Sequence, residues 1–325
     1  MRAPEFWQDS ESVLASVLEP AGRIVGAVTT WRATRPNPPR APIPVISVGG
    51  VTVGGAGKTP VAAEIARQLA GMGQKPAVLL RGYGGRVTSA TRVDPARHTV
   101  DDVGDEALIH AAVHPTWVAR RRIVAACLAA ADGCTIAVLD DGHQHPGLHK
   151  DLSIVVLDGR NPFGNQRLVP AGPLREYPDD AIKRAQAVVI VGEDKTNVAA
   201  RLPGHVVVLR ADLVPDPAAT ALRGRRVVAF AGIGDPKKFF ATLNDLGAQI
   251  AARYGFEDHH AFGPSDIQPI LDQAFAMQAI PVTTEKDAVR LAPDQRQQVD
   301  VVKVAAVFRD PGTVEALLRG AVPGG

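Results

Sequence analysis

The run Val45-Ile46-Ser47-Val48-Gly49-Gly50-Val51-Thr52-Val53-Gly54-Gly55-Ala56-Gly57-Lys58-Thr59 constrains this chain more than any other stretch. Its β-branched residues favour a strand, its glycines break that strand, and Gly-Lys-Thr opens a helical pattern. That order makes a phosphate-binding loop, in which backbone N–H groups surround phosphate oxygens and a helix N-terminus adds partial positive charge. The expected nucleotide contacts are Thr52, Val53, Gly54, Gly55, Ala56, Gly57, Lys58 and Thr59, with Lys58 reaching the β- and γ-phosphates and the Thr59 hydroxyl ligating Mg²⁺. Thr52 departs from the strict pattern, which has glycine there; Gly54 and Gly55 still supply the permissive backbone.

Apolar runs alternate with helical patterns downstream, as a mostly parallel sheet requires. Strands are predicted at Pro76 to Leu80, Thr135 to Leu139, Leu152 to Leu157 and Val188 to Val191, and helices at Thr59 to Met72, Glu106 to Val113 and Arg121 to Ala131. A further strand, Val227 to Phe230, leads through Gly232-Ile233-Gly234 into a helix from Pro236, and more strands follow at Ile280 to Thr283 and Val301 to Val307. The expected fold is therefore α/β: a phosphate-loop domain over residues 41–213 with helices on both faces of its sheet, and a smaller α/β domain over 214–325. Pro215 and Pro217 mark the linker, and the cleft between domains is the natural place for a second substrate.

Composition fits a soluble enzyme: 46% of the 325 residues are hydrophobic, enough for buried cores. Lys and Arg number 36 against 34 Asp and Glu, so the balance of +2 gives no reason to expect a nucleic-acid partner. Arg120-Arg121-Arg122 and the basic run Arg223 to Arg226 read as solvated faces or turns. The two cysteines, Cys127 and Cys134, have no metal-like spacing and suit a reducing compartment.

Residues 1–40 stand apart. Trp7, Leu14, Val17, Leu18, Ala21, Val25 and Val28 share one helical face, followed by Trp31, Arg32, Arg35 and Arg40 and then by the stiff connector Pro36, Pro38, Pro39, Pro42 and Pro44. Glu5, Asp9, Glu11, Glu19 and Arg23 argue against a membrane span. The stripe suits either a helix lying in a membrane surface or one packed on the core, and the residues alone leave both open.

Acidic pairs carry the next chemistry. Asp140-Asp141 ends an apolar run, and in open parallel sheets ligands gather at such strand ends, so an aspartate there can hold Mg²⁺ beside the phosphate loop. Asp105-Glu106 precedes an apolar helical stretch; Asp105 suits a helix cap or the group that deprotonates an attacking hydroxyl. His259-His260 lies in the second domain, while His143, His145 and His149 lack zinc spacing and read as loop residues.

These segments together resemble the tetraacyldisaccharide 4′-kinase family, the lipid A precursor kinases of Gram-negative bacteria. The matching blocks, in family order, run from Thr52–Pro60 through Arg81-Gly82-Tyr83-Gly84-Gly85, Val103-Gly104-Asp105-Glu106, Asp140-Asp141-Gly142 and Phe163-Gly164-Asn165. They continue with Pro170-Ala171-Gly172-Pro173-Leu174-Arg175-Glu176, Ala229 to Gly234, Asp258-His259-His260 and Thr283-Thr284-Glu285-Lys286-Asp287.

The resemblance explains Thr52, since these kinases lack the first glycine. It implies ATP and Mg²⁺ as cofactors and γ-phosphoryl transfer to the 4′-hydroxyl of an acylated glucosamine disaccharide 1-phosphate. It also implies peripheral attachment to the cytoplasmic face of the bacterial inner membrane, which favours the surface-helix reading. By the same resemblance Asp105 is the catalytic aspartate and His259 its partner, with His260 the adjacent alternative. Glu106 and Asp140 match metal-associated carboxylates beside Thr59, and Asp141, Arg175 and Glu176 fall near the reacting phosphates. His143 stands where the family usually has an apolar or aromatic residue. The rival readings are a membrane-associated phosphate-loop switch ATPase, whose lysine before the paired glycines is here Val53, and a structural membrane protein that has lost nucleotide.

Overall fold

Val45–Gly50 carries no charge and is buried on both faces, as the central strand of a parallel sheet must be. It is strand β1 of the computed structural model, which describes residues 4–9, 11–34 and 37–322. Arg35 and Pro36, singled out in the sequence, lie outside the described residues, as does the side chain of Glu5. The strands after β1 are β2 (Pro76–Leu80), β3 (Thr91–Arg92), β4 (Thr116–Val118), β5 (Ile136–Asp140), β6 (Leu152–Asp158), β7 (Ala187–Val191) and β8 (Val207–Pro215). Then come β9 (Arg226–Ala231), β10 (Gln249–Gly255), β11 (Ile280–Thr284), β12 (Asp300–Val302) and β13 (Val304–Phe308). The principal helices are α1 (Val13–Ala33), α2 (Lys58–Gly71), α3 (Val100–Val103), α4 (Asp105–Ala111), α5 (Arg122–Ala131), α6 (Pro178–Lys183), α7 (Pro236–Asp245) and α8 (Pro264–Ala276), with a last one at Pro311–Ala321.

The chain divides into two compact units, Ala3–Leu213 with Ala306–Gly325, and Val214–Ala305. The larger holds a nine-stranded sheet in the order β13-β8-β7-β6-β1-β5-β2-β4-β3. From β8 to β4 every pairing is parallel, and β3 closes the edge antiparallel to β4. Ala125, Ala126 and Ala129 of α5 pack with Val45, Ala77, Leu79, Ala137 and Leu139. The alternate residues Ile46, Val48, Val78 and Val138 are equally buried, and α2 packs on the same strands. Each such aliphatic side chain contributes about 1.5–3 kcal/mol on burial, so both faces of this sheet hold the unit together. The smaller unit has a four-stranded parallel sheet, β10-β9-β11-β12.

The apolar run Val301 to Val307, which reads as one strand, is two strands in different sheets. The chain breaks at Lys303, whose carbonyl accepts the Asp216 N–H at 2.9 Å, and β13 joins the large sheet. There Arg309 N–H donates to the Arg210 carbonyl at 2.9 Å and its guanidinium forks onto Asp212 at 2.8 Å. Residues 306–322 therefore group with the large unit, although the expected smaller domain includes them.

Of the two packings that the apolar stripe of helix α1 leaves open, the structure has the one with the stripe outward. The helix seats on the body through small residues: a Cβ on Gly22 would lie 2.8 Å from the Leu168 carbonyl oxygen, and one on Gly26 2.4 Å from Leu168 Cδ1. Arg167 adds an ion pair to Glu19 at 3.1 Å and a hydrogen bond to Ser16 Oγ at 3.0 Å. Val13, Leu14, Val17, Ile24, Val25, Val28 and Trp31 consequently face outward, Val17 at 70% and Trp31 at 65% exposure. Trp7 of the expected stripe is anchored, its indole N–H donating to the Pro170 carbonyl at 3.0 Å. The charge argument against a span also changes, because Glu5, Asp9 and Glu11 precede the helix and Glu19 pairs with Arg23 at 2.8 Å. By length and composition the 21-residue helix could cross a bilayer.

Candidate active site

Because β1, β5 and β6 are neighbours, their carboxyl ends bring the glycine loop and the Asp140-Asp141 turn together. Register sets Asp140 opposite Val48. The loop itself is tied to the Pro170–Glu176 segment: Val53 N–H donates to the Pro173 carbonyl and Arg175 N–H to the Val51 carbonyl, each at 2.8 Å. Gly54 and Gly57 have φ of 112° and 86°, conformations in which a side chain is strained, and Gly57 caps α2. Lys58, the first helical residue, folds back so that Nζ donates to the Gly54 carbonyl at 3.1 Å and lies 3.7 Å from Asp141 Oδ1.

Asp141 Oδ2 accepts from Arg175 Nη1 at 2.7 Å. Burial pushes its carboxyl up, but the charges of Lys58, Arg175 and Arg122 more than offset this, and it titrates below the ordinary aspartate range. Asp141 sits at φ 53°, and Gly142 must follow, since a Cβ there would meet Leu139 Cδ2 at 2.3 Å. A carboxylate kept ionised between Lys58 and Arg175 holds two cations beside the glycine loop.

Helix α4 brings the other acidic pair into the same unit. Gly104 at φ 86° precedes it, closely backed by the Tyr83 carbonyl oxygen, which a Cβ would approach to 2.4 Å. Asp105 is buried at the first helical position, with Oδ1 accepting the Glu106 N–H at 2.8 Å. One turn later His110 Nε2 lies 2.9 Å from Asp140 Oδ2, both side chains enclosed. A carboxylate only accepts, so Nε2 carries the proton.

In the smaller unit the Gly232-Ile233-Gly234 turn serves as a scaffold. Asp287 Oδ1 accepts the Gly232 N–H at 3.0 Å, and Arg290 Nη1 reaches both Asp287 at 3.0 Å and the Gly232 carbonyl at 2.9 Å. Burial raises the Asp287 carboxyl. His259, at φ 59°, has Lys286 Nζ 3.4 Å from Nε2 and Arg290 Nη2 3.5 Å from Nδ1. His260 is differently placed, 3.1 Å from Asp266 and stacked on Phe256 at 4.8 Å. Of the adjacent pair, His260 is built into its unit's packing and His259 lies on the turn.

Comparison with known proteins decides the family. A family model described as tetraacyldisaccharide-1-P 4′-kinase matches residues 14–322. The chain belongs to that family. Among curated members named tetraacyldisaccharide 4′-kinase, that of Rhodospirillum rubrum is 52% identical over 322 residues, 98% of this chain and 97% of its own. That of Rhodospirillum centenum is 47% identical over 329 residues, covering 100% and 98%. The crystal structure of Aquifex aeolicus LpxK in complex with ATP superposes with a TM-score of 0.77 at 25% identity, over 95% of this chain and 100% of that one.

Within the kinase fold several expected residues take other positions than sequence suggests. Glu176 is wholly enclosed, with Oε2 accepting from Arg184 at 2.6 Å and Oε1 from Gln144 at 2.9 Å. Both oxygens are engaged, so it braces the loop from beneath rather than presenting a carboxylate to nucleotide. Arg122 is buried, not part of a solvated face; burial lowers its guanidinium to about 10, with Arg81 adding repulsion and Asp141 opposing. His143 lies in a turn, as expected, but is buried: Nε2 donates to the Ala181 carbonyl at 3.0 Å, and burial, then Lys150 and Arg184, drive its titration down to about 3. A neutral ring thus occupies the position where the family resemblance expects an apolar or aromatic one.

Gln144, Arg122, Arg184 and His110 escaped the sequence reading. Gln144 Nε2 also donates to the Gly50 carbonyl at 2.8 Å, linking β1 to Glu176. Its place three residues after Asp141 was the available signal, as was the position of Arg122 just beyond β4 at the ligand-gathering edge. Nothing local marks Arg184 or His110.

The donor set fits Mg²⁺ held jointly with nucleotide. Asp140 Oδ1 is buried without a hydrogen-bond partner among the described residues. No cluster of three or more His, Cys, Asp or Glu among them could hold a metal alone. Mg²⁺ ordinarily takes one or two carboxylates and completes its shell with phosphate oxygens and water.

Proposed function

We propose that this protein transfers the γ-phosphoryl group of ATP to the 4′-hydroxyl of tetraacyldisaccharide 1-phosphate, making the bis-phosphorylated lipid A precursor. The observation that carries the reading is the convergence of Lys58, Asp141 and Arg175 at the end of the glycine loop, in a chain of this family. Backbone amides of residues 54–59 and the Lys58 ammonium hold the triphosphate. Lys58 exchanges its contact with the Gly54 carbonyl for phosphate oxygens, and Arg175 stabilises charge on the transferred group. Asp105 accepts the proton of the sugar hydroxyl as that oxygen attacks in line. Thr59, Glu106 and Asp140 would hold Mg²⁺, which neutralises β- and γ-phosphate charge when bound.

The outward apolar face of α1 is the membrane contact, and the protein sits peripherally on the cytoplasmic face of the inner membrane. A stripe of Leu, Val, Ile and Trp that the described residues leave uncovered, with Arg32 in the last turn, suits burial in the headgroup boundary. Mass spectrometry of the lipid after incubation with Mg²⁺, γ-labelled ATP and tetraacyldisaccharide 1-phosphate in detergent tests the reaction. A gain of one labelled phosphate on the non-reducing sugar supports it. Label recovered only as free phosphate points to the switch-ATPase reading instead.

A further inference from the structure

The kinase reading gives Asp140 a place beside the metal but leaves its buried partner His110 without a part. Its side chains are 0% and 1% exposed, and the 2.9 Å contact uses only Oδ2 of the carboxylate. Oδ1 is left buried and unpaired among the described residues. A buried carboxylate oxygen without a donor is costly, so Oδ1 fits a cationic or hydrogen-bonding ligand. His110 also stands four residues after Glu106 on α4, so the two share one face of the helix that starts with Asp105.

We propose that His110 is a positioning residue for the metal: by occupying Oδ2 of Asp140 it leaves Oδ1 oriented toward the cation, and it locks α4 to the end of β5. The inference rests on the magnesium reading above. Its physical basis is general, since a partner that fixes the unused atom of a metal-binding carboxylate holds its orientation, and loss of such a partner weakens metal binding ~10- to 100-fold. A single contact therefore sets the spacing between the carboxylate on the sheet and the pair on the helix. His110 acts through Asp140 and need not touch nucleotide.

The test is the affinity of full-length protein for a fluorescent ATP analogue, measured in EDTA and across a Mg²⁺ titration, with His110→Leu, His110→Gln and His110→Asn. Gln places an N–H near the position of Nε2, whereas Asn falls short. Wild type should gain affinity with Mg²⁺. His110→Leu and His110→Asn should raise the Mg²⁺ midpoint ~10- to 100-fold with EDTA affinity unchanged, and His110→Gln should restore it to within a few-fold. A residue that merely fills the core would lower the melting temperature without moving the midpoint selectively. If His110→Leu does not fold, the Gln and Asn pair decides, and equal midpoints for those two overturn the proposal. Wild type that ignores Mg²⁺ overturns the metal reading and this one together, whereas a Mg²⁺ response unaltered in every variant overturns this one alone.

Discussion

Replacing Glu176 by Gln should destabilise the large unit and loosen the nucleotide loop together. Glu176 is fully enclosed, and its carboxylate joins Arg184 at 2.6 Å and Gln144 at 2.9 Å, with Gln144 holding the Gly50 carbonyl at 2.8 Å. Breaking a buried ion pair by neutralising one partner costs about 3–5 kcal/mol. The Arg184 side chain is 22% exposed, so water relieves part of its unpaired charge and about 2–3 kcal/mol remains. For a unit of this size that corresponds to a melting temperature lower by roughly 4–12 °C. Urea titration followed by tryptophan fluorescence measures it, because Trp117 is buried in the same unit. The double variant Glu176→Leu with Arg184→Met, which removes both charges, should cost less than the sum of the single changes. The exposed pair Lys195–Glu193, 3.7 Å apart, is the control, with an expected effect below about 0.5 kcal/mol. A Glu176→Gln cost no greater than that control would refute the bracing argument.

Other outcomes follow from the same geometry. His143 and His145 titrate in the fold at about 3 and about 4, chiefly because burial disfavours their charged forms. Below the unfolded value near 6.5 only the unfolded chain takes up these protons, so stability is complete above pH 6.5 and falls as pH drops toward 4. The slope is about 1.4 kcal/mol per pH unit for each ring; urea melts at several pH values should show it, and His143→Phe should halve it. Changing Leu14, Val17, Val25 and Trp31 to serine should weaken binding to anionic vesicles while leaving the melt within about 0.5 kcal/mol, because these side chains are exposed. Gly22→Leu should undock α1 at a cost of about 1–3 kcal/mol, read as new protease cleavage in that helix, because its Cβ would press on the Leu168 backbone.

The glycine loop, its flanking strand and the Asp-Asp turn were legible because each is local: a strand that must be buried, glycines at positive φ, carboxylates at a strand end. What escaped depends on contacts far apart in the chain. His110 meets Asp140 across 30 residues and Gln144 meets Gly50 across 94, and no spacing rule connects them. Arg122 belongs to a run of three arginines that composition assigns to solvent, yet its position after β4 buries it. Helix α1 left two packings open for a different reason: the choice turns on Gly22 and Gly26, which let the backbone approach Leu168 and leave the large apolar residues outward. Val301 to Val307 shows the same limit, since one apolar run supplies strands to two sheets.

We propose that Asp105 accepts the proton of the lipid hydroxyl. Single-turnover transfer from pre-bound, labelled ATP to tetraacyldisaccharide 1-phosphate, comparing wild type with Asp105→Ala, tests it most directly. Label is expected in the wild-type lipid, with a rate roughly 10² to 10⁴ lower in the variant and ATP affinity preserved. A variant that transfers label at the wild-type rate would contradict it.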